Sequence, residues 1–397
     1  MLSNPTISPY AVEPLVVWRG DDDFERREWA SMAWTIPQHS RGQVNRAGDF
    51  LKSMSAMARE HMEGGKDFNE FVERVQTEFA VIGNWRSSHS YPLQCMKMTL
   101  KNRAKEIDQN ALIAQRLKRV TSIASKLERF PNMKLSQMQD IGGCRAVVSS
   151  VRRVHDLVEV YEESRKKNPT ARMEFSEKYD YVADPKRDGY RGVHLVYKYR
   201  TPSLDRKMYN GLRIEIQLRS QLQHAWSTAV ETVSAVTGQA LKSNIGSEEW
   251  MRFFLLMSSA IAAREKSPAA PGTPQDVNDT KNELRELNNR LNIASVLNAY
   301  GTLVDSVPDM QHLNYAHYVV VLDLERKKTQ VTGFGKADLA KAADELARIE
   351  KQTVDNRNID AVLVSVDSLT ALHKAYPNYF LDTTAFMRVL TEVLDEN

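Results

Sequence analysis

Cysteine is almost absent from this chain. Only Cys95 and Cys144 occur in 397 residues. Two cysteines cannot build a disulfide framework, and without a Cys-x-x-Cys pair there is no structural zinc spacing; both facts fit a reducing compartment. Long apolar runs are missing as well. The early stretch Ala11–Trp18 is broken by Glu13 and Pro14, and nothing approaches the ~18 apolar residues that a membrane helix needs. The N-terminus has no basic stretch followed by an apolar core, so the expectation is a cytoplasmic protein without a membrane partner. A large excess of one charge is lacking too. Against 54 Lys plus Arg stand 51 Asp plus Glu, a net +3, which excludes a uniformly basic nucleic-acid coat but not a local basic cleft. With 42% hydrophobic and 26% charged residues, composition excludes a mainly disordered or collagen-like chain.

What is present divides the chain. Residues 1–45 hold Pro5, Pro9, Pro14 and Pro37 and read as an irregular lead-in, with one helix around Phe24–Trp34. From Val44 to about Lys126 the pattern is helical: Phe50, Met54, Met57 and Met62, then Phe68, Phe71, Val75 and Phe79, fall near 3.6 spacing as core filling. After Pro131 short runs rich in β-branched and aromatic residues appear, at Cys144–Val148, Val193–Tyr199 and Leu212–Leu218, with helices at Arg153–Lys167 and about Gln221–Val236. This alternation predicts an α/β domain with a mixed α+β sheet over 46–260. Residues 261–280, rich in Pro, Ala and Gly, read as a linker. Residues 281–397 predict a small α/β domain of their own: a helix at Lys281–Gly301, strands at Tyr318–Leu324, Thr329–Phe334 and Ala361–Val366, and helices at Lys336–Lys351 and Thr383–Leu394.

Four motifs lie within Arg116–Arg219. In the first, Lys118, Ser122 and Lys126 are spaced by four, so on a helix they share one face that fits a polyphosphate; read alone, a solvated basic face is the preferred reading. Asp140-Ile-Gly-Gly-Cys-Arg145 places a carboxylate before a strand with two glycines that permit close approach; by itself it is equally a turn. Pro185-Lys-Arg-Asp-Gly-Tyr190-Arg-Gly-Val-His194 is a loop entering a strand, offering Tyr190 for base stacking, or simply an interfacial tyrosine. In Arg213-Ile-Glu-Ile-Gln-Leu-Arg219, period two puts Arg213, Glu215, Gln217 and Arg219 on one face and Ile214, Ile216 and Leu218 on the other.

Together and in this order the four motifs resemble the RelA/SpoT-type alarmone synthetase family, whose motifs read Arg-x-Lys-x-x-x-Ser-x-x-x-Lys, Asp-Ile-x-Gly-x-Arg, Asp-Tyr…Pro-Lys-x-x-Gly-Tyr-Arg-Ser-Leu-His and Glu-x-Gln-x-Arg. The resemblance covers roughly residues 50–250. It implies a nucleotidyltransferase-like synthetase fold and transfer of pyrophosphate from ATP to the 3′-hydroxyl of GDP or GTP, with magnesium. Arg116 and Arg145 then correspond to the pair sandwiching adenine, and Lys118, Ser122 and Lys126 to the ATP phosphate contacts. Asp140 corresponds to the magnesium carboxylate, and Glu215 to the carboxylate that activates the acceptor hydroxyl and shares the metal. Tyr190 corresponds to the ring stacking on the acceptor guanine, with Lys186, His194, Gln217 and His224 holding that nucleotide. The family's Ser after Tyr-Arg is Gly192 here, which with the basic middle of the chain leaves an acceptor at the 3′ end of tRNA as an alternative. A catalytically inactive nucleotide sensor is a further alternative, against which the presence of both Asp140 and Glu215 argues. His155-Asp156 resembles half of a hydrolase motif but lacks a companion histidine cluster, so no hydrolase activity is expected.

Charge is distributed unevenly. Residues 101–230 carry 26 Lys plus Arg against 15 Asp plus Glu, whereas residues 281–397 carry 13 against 17. The expectation is an acidic C-terminal third that folds against the synthetase and serves as a regulatory or partner-binding domain, or as a homo-oligomer contact. His312 and His317 within it read as structural.

Overall fold

One sheet of eight strands organises the protein: β1 (Leu112–Leu117), β2 (Gly142–Val148), β3 (Met173–Asp180), β4 (Val193–Tyr199), β5 (Arg213–Ser220), β6 (His317–Asp323), β7 (Lys328–Phe334) and β8 (Ile359–Ser365). The computed structural model describes residues 34–63, 68–167, 173–237, 247–293, 296–297, 315–326, 328–353, 356 and 358–395. Residues 35–397 form a single compact unit. The strand order is β3-β4-β5-β2-β1-β8-β6-β7. Among the described strands only β2 and β5 run parallel; the other pairs are antiparallel. The helices described are α1 (Arg41–Glu63), α2 (Phe68–Ser88), α3 (Ser90–Ile107), α4 (Val120–Arg129), α5 (Val151–Lys167), α6 (Gln221–Thr237), α7 (Glu248–Arg264), α8 (Val277–Leu291), α9 (Leu339–Gln352), α10 (Leu369–Ala375) and α11 (Thr384–Asp395). Among the described residues no helix is long and apolar enough to cross a membrane.

The two faces of the sheet differ because the strands alternate. On one face Ile113, Leu117, Cys144, Ala146, Leu195, Ile214, Ile216 and Leu218 meet Leu93, Met96 and Leu100 of α3 and Val154, Leu157 and Tyr161 of α5 in one buried core. Towards the β7 end of the sheet, α9 takes over the cover, with Ala342 and Leu346 packed on Val319 and Leu363. The opposite face carries Arg116, Arg145, Glu215, Gln217 and His194 in register. Helices α6, α7, α8 and α11 pack together through their apolar faces in a cluster that includes Trp226, Phe254, Leu284 and Phe386.

Three expectations need correction. The helical pattern does not run unbroken to Lys126: Leu112–Leu117 is β1, so Arg116 is on a strand, Lys118 lies in the connection, and only Ser122 and Lys126 share helix α4. β1 escapes a periodicity reading because it lacks alternation: Ile113, Ala114, Gln115 and Leu117 are all buried. β3 is also absent from the sequence reading. Second, the stretch after Arg264 is packed, not a free linker: Ala270 N donates to Ser259 Oγ at 2.9 Å, and the Thr273 and Ser259 hydroxyls pair at 2.9 Å. Third, residues 281–397 do not form a separate sheet. β8 pairs with β1 through Gln115↔Ser365 and Arg116↔Val364, which makes β6, β7 and β8 a continuation of the same sheet. Burial of β1's free edge is the physical reason, since an unpaired edge exposes backbone donors and acceptors. The expected helix at Phe24–Trp34 and His312 lie outside the described residues, apart from Trp34.

Candidate active site

Strand register brings the motifs together. Arg116 on β1 stands opposite Gly143, and Arg145 is opposite Ala114, so the two arginines lie on one face of adjacent strands. Gly143 in turn pairs with Glu215, and Arg145 with Gln217, on parallel β5. His194 on β4 is opposite Gln217. The period-two reading of Arg213–Arg219 therefore holds: Ile214, Ile216 and Leu218 are fully buried in the core, and the polar residues share the other face.

Asp140, two residues before β2, is clamped by two ammonium groups. Lys118 Nζ is 2.7 Å from Oδ2, and Lys126 Nζ is 2.9 Å from Oδ1. Burial alone would push this carboxyl up, but the two lysines more than reverse it and hold Asp140 well below the usual carboxylate range. Burial also pulls Lys118 down from the ordinary lysine value, against the opposing pull of Asp140. Ser122 lies one turn before Lys126 on α4.

Around Glu215 a second network forms. Its Oε1 accepts from His194 Nδ1 at 2.8 Å and its Oε2 from Gln217 Nε2 at 2.7 Å. His194 Nε2 is 2.6 Å from the Tyr190 hydroxyl, which also accepts from Arg219 Nη2 at 2.8 Å. Burial opposes ionisation of Glu215, yet His194 and Gln217 keep its carboxyl below the ordinary value. Burial disfavours the charged imidazole, but Tyr190 and Glu215 push His194 up to about 9. Burial likewise opposes ionisation of Tyr190, but Arg219 and His194 outweigh it and bring the phenol down to about 8. The resulting state is an imidazolium donating to a carboxylate on one side and a phenol oxygen on the other.

Lys186 Nζ sits 4.2 Å from the Tyr181 ring centroid and 5.0 Å from that of Tyr190, a cation–π arrangement. Beside it opens a cavity of about 340 Å³ lined by Lys186, Tyr190, Trp226, Met251, Arg252 and Phe254, among others. Gly192 has φ of 143°, and a Cβ there would come within 3.2 Å of Leu218 O and Arg219 Cγ. A serine at 192 would be strained in this backbone, so the glycine is dictated by the turn against β5. Gly189, φ 85°, is similarly pressed against Ser258 and Leu255.

Residues 115–234 match the family described as the region found in RelA / SpoT proteins. The RelA/SpoT region holds both carboxylates, the Tyr190 network and both arginines of the sheet face. Over 120 residues the chain is 31% identical to the GTP pyrophosphokinase YjbM of Bacillus subtilis, covering 29% of this chain and 52% of that protein. The chain thus spans about half the length of that curated relative. Among solved structures it is similar to small alarmone synthetase 1 of Bacillus subtilis bound to its product pppGpp: 22% identity, 45% of this chain, 89% of that one, TM-score 0.37. It is also similar to a GTP pyrophosphokinase family protein from Streptococcus pneumoniae: 19% identity, 44% and 84% coverage, TM-score 0.36.

Within the RelA/SpoT region, Asp140, Lys118 and Lys126 form one cluster and Lys186, Tyr190, His194, Glu215 and Gln217 another. Three expected residues have other neighbours. His224, in the first turn of α6, places Nε2 3.1 Å from the Lys374 carbonyl rather than in the Tyr190 network. Arg116 and Arg145 lie near a ring of the protein itself, with their Cζ atoms 6.0 and 5.7 Å from the centroid of Tyr376. Two contributors lie outside the sequence reading. Period two puts Arg219 on the correct face without giving it a role, although it holds the Tyr190 hydroxyl. Tyr181, which supports Lys186, carries no signal beyond being one of three tyrosines near the loop. His155 is exposed and Asp156 pairs with Arg153 at 3.8 Å, an ordinary helix surface. His317 is buried, its Nδ1 2.7 Å from Ser365 Oγ, so it is structural. Among the described residues no group of three His, Cys, Asp or Glu side chains is placed to hold a metal.

Proposed function

We propose that this protein is an ATP-dependent pyrophosphotransferase that moves the β,γ-pyrophosphate of ATP to the 3′-hydroxyl of GDP or GTP. The observation that carries the reading is the pairing of two ionised carboxylates, Asp140 and Glu215, with cationic groups at one sheet face, inside a matched RelA/SpoT region. Lys118 and Lys126 supply charge for a polyphosphate, Arg116 and Arg145 offer planes for the donor base, and Tyr190 with Lys186 borders a cavity sized for an acceptor nucleotide.

Asp140 and Glu215 would be the residues to hold magnesium, a hard cation that is commonly bound through one or two carboxylates while substrate phosphates complete its shell. When bound there it would offset phosphate charge. The chain's own contribution is to orient the groups. His194 fixes the Glu215 carboxylate through Oε1 and Gln217 fixes Oε2, keeping it ionised and able to accept the proton of an incoming hydroxyl. Arg219 and His194 together fix the Tyr190 ring at the cavity mouth.

The test is direct. Purified protein with magnesium and β-labelled ATP is offered GDP, GTP or tRNA. Label in a guanosine product supports the reading, label on tRNA replaces the acceptor, and no transfer to any of them overturns it in favour of a nucleotide sensor.

A further inference from the structure

Helix α7 lies outside the RelA/SpoT region, yet it walls the cavity beside Tyr190. Met251, Leu255 and Ser258 are spaced by four and three, so they share one face of the helix. Met251 and Leu255 line the cavity, and Ser258 reaches the loop that carries Tyr190. Its hydroxyl donates to Gly189 O at 2.5 Å and accepts from Arg191 Nε at 2.9 Å. One side chain thus ties the residues immediately before and after Tyr190. Ser258 is 1% exposed and Arg191 3%, so bulk water does not compete for these bonds. Arg191 Nη1 and Nη2 have no hydrogen-bond partner among the described residues, which leaves Nε as the anchored end of that guanidinium.

The position calls for a small side chain with a hydroxyl. A carbonyl needs a donor and a guanidinium N–H needs an acceptor, and a hydroxyl is both at once. Space is short as well. A Cβ at Gly189 would come within 3.0 Å of Ser258 Cβ and 3.3 Å of Trp226 Cζ2, so loop and helix touch with no room for a larger residue. The helix is in turn pinned to α6, since Phe254 O accepts from Trp226 Nε1 at 2.8 Å.

Tyr190 is therefore held at both ends. Arg219 and His194 hold its hydroxyl from the sheet, and Ser258 holds its backbone from α7. We propose that Ser258 is a positioning residue for the acceptor, fixing the plane of the Tyr190 ring at the cavity mouth through Gly189 and Arg191. This inference rests on the acceptor-site reading given above. The adjacent Ser259 supplies a built-in contrast. It is turned about 100° around the helix and bonds Ala270 N and the Thr273 hydroxyl instead.

The test uses the full chain as wild type, Ser258→Ala, Ser258→Cys and Ser259→Ala. In the label-transfer assay KM is measured for ATP and for whichever of GDP, GTP or tRNA takes the label. Leaving a buried carbonyl and guanidinium unanswered should raise the acceptor KM about tenfold in Ser258→Ala, and less in Ser258→Cys, whose thiol is a weaker partner. KM for ATP should stay at the wild-type value, as should affinity for α,β-methylene-ATP, whose Pα–Pβ bridge cannot be cleaved by pyrophosphate transfer. Ser259→Ala should leave both KM values unchanged. An unchanged acceptor KM in a folded Ser258→Ala, or an equal rise in Ser259→Ala, overturns the positioning role. Should Ser258→Ala not fold, Ser258→Cys decides on the same terms. Absence of transfer by the wild type overturns the acceptor reading itself, a separate result. Hydrogen exchange then judges the clamp: amides of residues 186–191 that exchange several-fold faster in the Ser258 variants but not in Ser259→Ala support it, and equal exchange refutes it.

Discussion

The acceptor side and the donor side of this polar face are built differently. On the acceptor side Glu215, Gln217, His194, Tyr190 and Arg219 form a chain of hydrogen bonds next to an open cavity of about 340 Å³. All five come from a short span of sequence, on two adjacent strands and the loop that enters one of them. On the donor side the charges already meet protein groups: Lys118 and Lys126 pair with Asp140, and Arg116 and Arg145 stand 6.0 and 5.7 Å from the Tyr376 ring. The first side is preorganised for a ligand, whereas the second is satisfied without one.

The largest expected effect lies on the open half. Glu215→Gln keeps the shape but removes the charge that His194 and an incoming hydroxyl both need. Turnover in the label-transfer assay should fall by about 10²–10⁴-fold if the carboxylate acts as general base. Binding of α,β-methylene-ATP measured without magnesium should change little, because Arg116, Arg145, Lys118 and Lys126 are untouched. Full turnover in this variant would dissolve the distinction between the halves.

Next in size is the tie that holds the filled half. Arg86 on α2 donates from Nη1 and Nη2 to Glu350 of α9 at 2.7 and 3.2 Å, and from Nε to Lys118 O at 2.8 Å. The side chains are only 7% and 14% exposed. Removing one partner of a buried pair leaves the other charge uncompensated, at a cost of about 3–5 kcal/mol. Glu350→Ala should therefore lower the urea midpoint of unfolding by an amount matching that range. A midpoint equal to the wild type would show that the C-terminal third is not clamped to the connection carrying Lys118.

How far these halves can be read from sequence follows the same division. Strand β5 is legible residue by residue because Arg213–Arg219 alternates and needs only its own period to declare its faces. The motif order is enough to name the residues of both clusters. Strand β1 is not legible, since all but Leu112 and Arg116 of the run are buried on both faces, and coverage depends on Val364 and Tyr376, far away in sequence. For the same reason residues 281–397 read as a separate domain: their strands have a complete local pattern, and nothing local tells that β8 will seal the edge of β1. The contrast of basic 101–230 and acidic 281–397 does foreshadow the contact, which the Arg119–Asp360 and Lys101–Asp367 pairs make specific.

The smallest effect is a pH slope that belongs to the open half only. Despite its burial, His194 has a folded value of about 9, above the ordinary 6.5, because of Tyr190 and Glu215. Between about pH 6.5 and 8 the folded protein thus keeps a proton that the unfolded chain has released, so His194's contribution is full below pH 6.5 and declines as pH rises. Above about pH 8 Tyr190, lowered in the folded state, begins to work in the opposite direction, which confines the clean window to about 6.5–8. The buried His89 and His317 give the reverse sign at lower pH: burial brings both down to about 4, so stability falls as pH drops from 6.5 towards 4. The melting temperature should accordingly peak near pH 6.5. His194→Gln should flatten the decline between about pH 6.5 and 8 and leave the acid limb in place, as read by thermal unfolding across the range. If the alkaline decline persists unchanged in that variant, the proton is not held between Glu215 and Tyr190, and the acceptor half is organised by Arg219 and Gln217 instead.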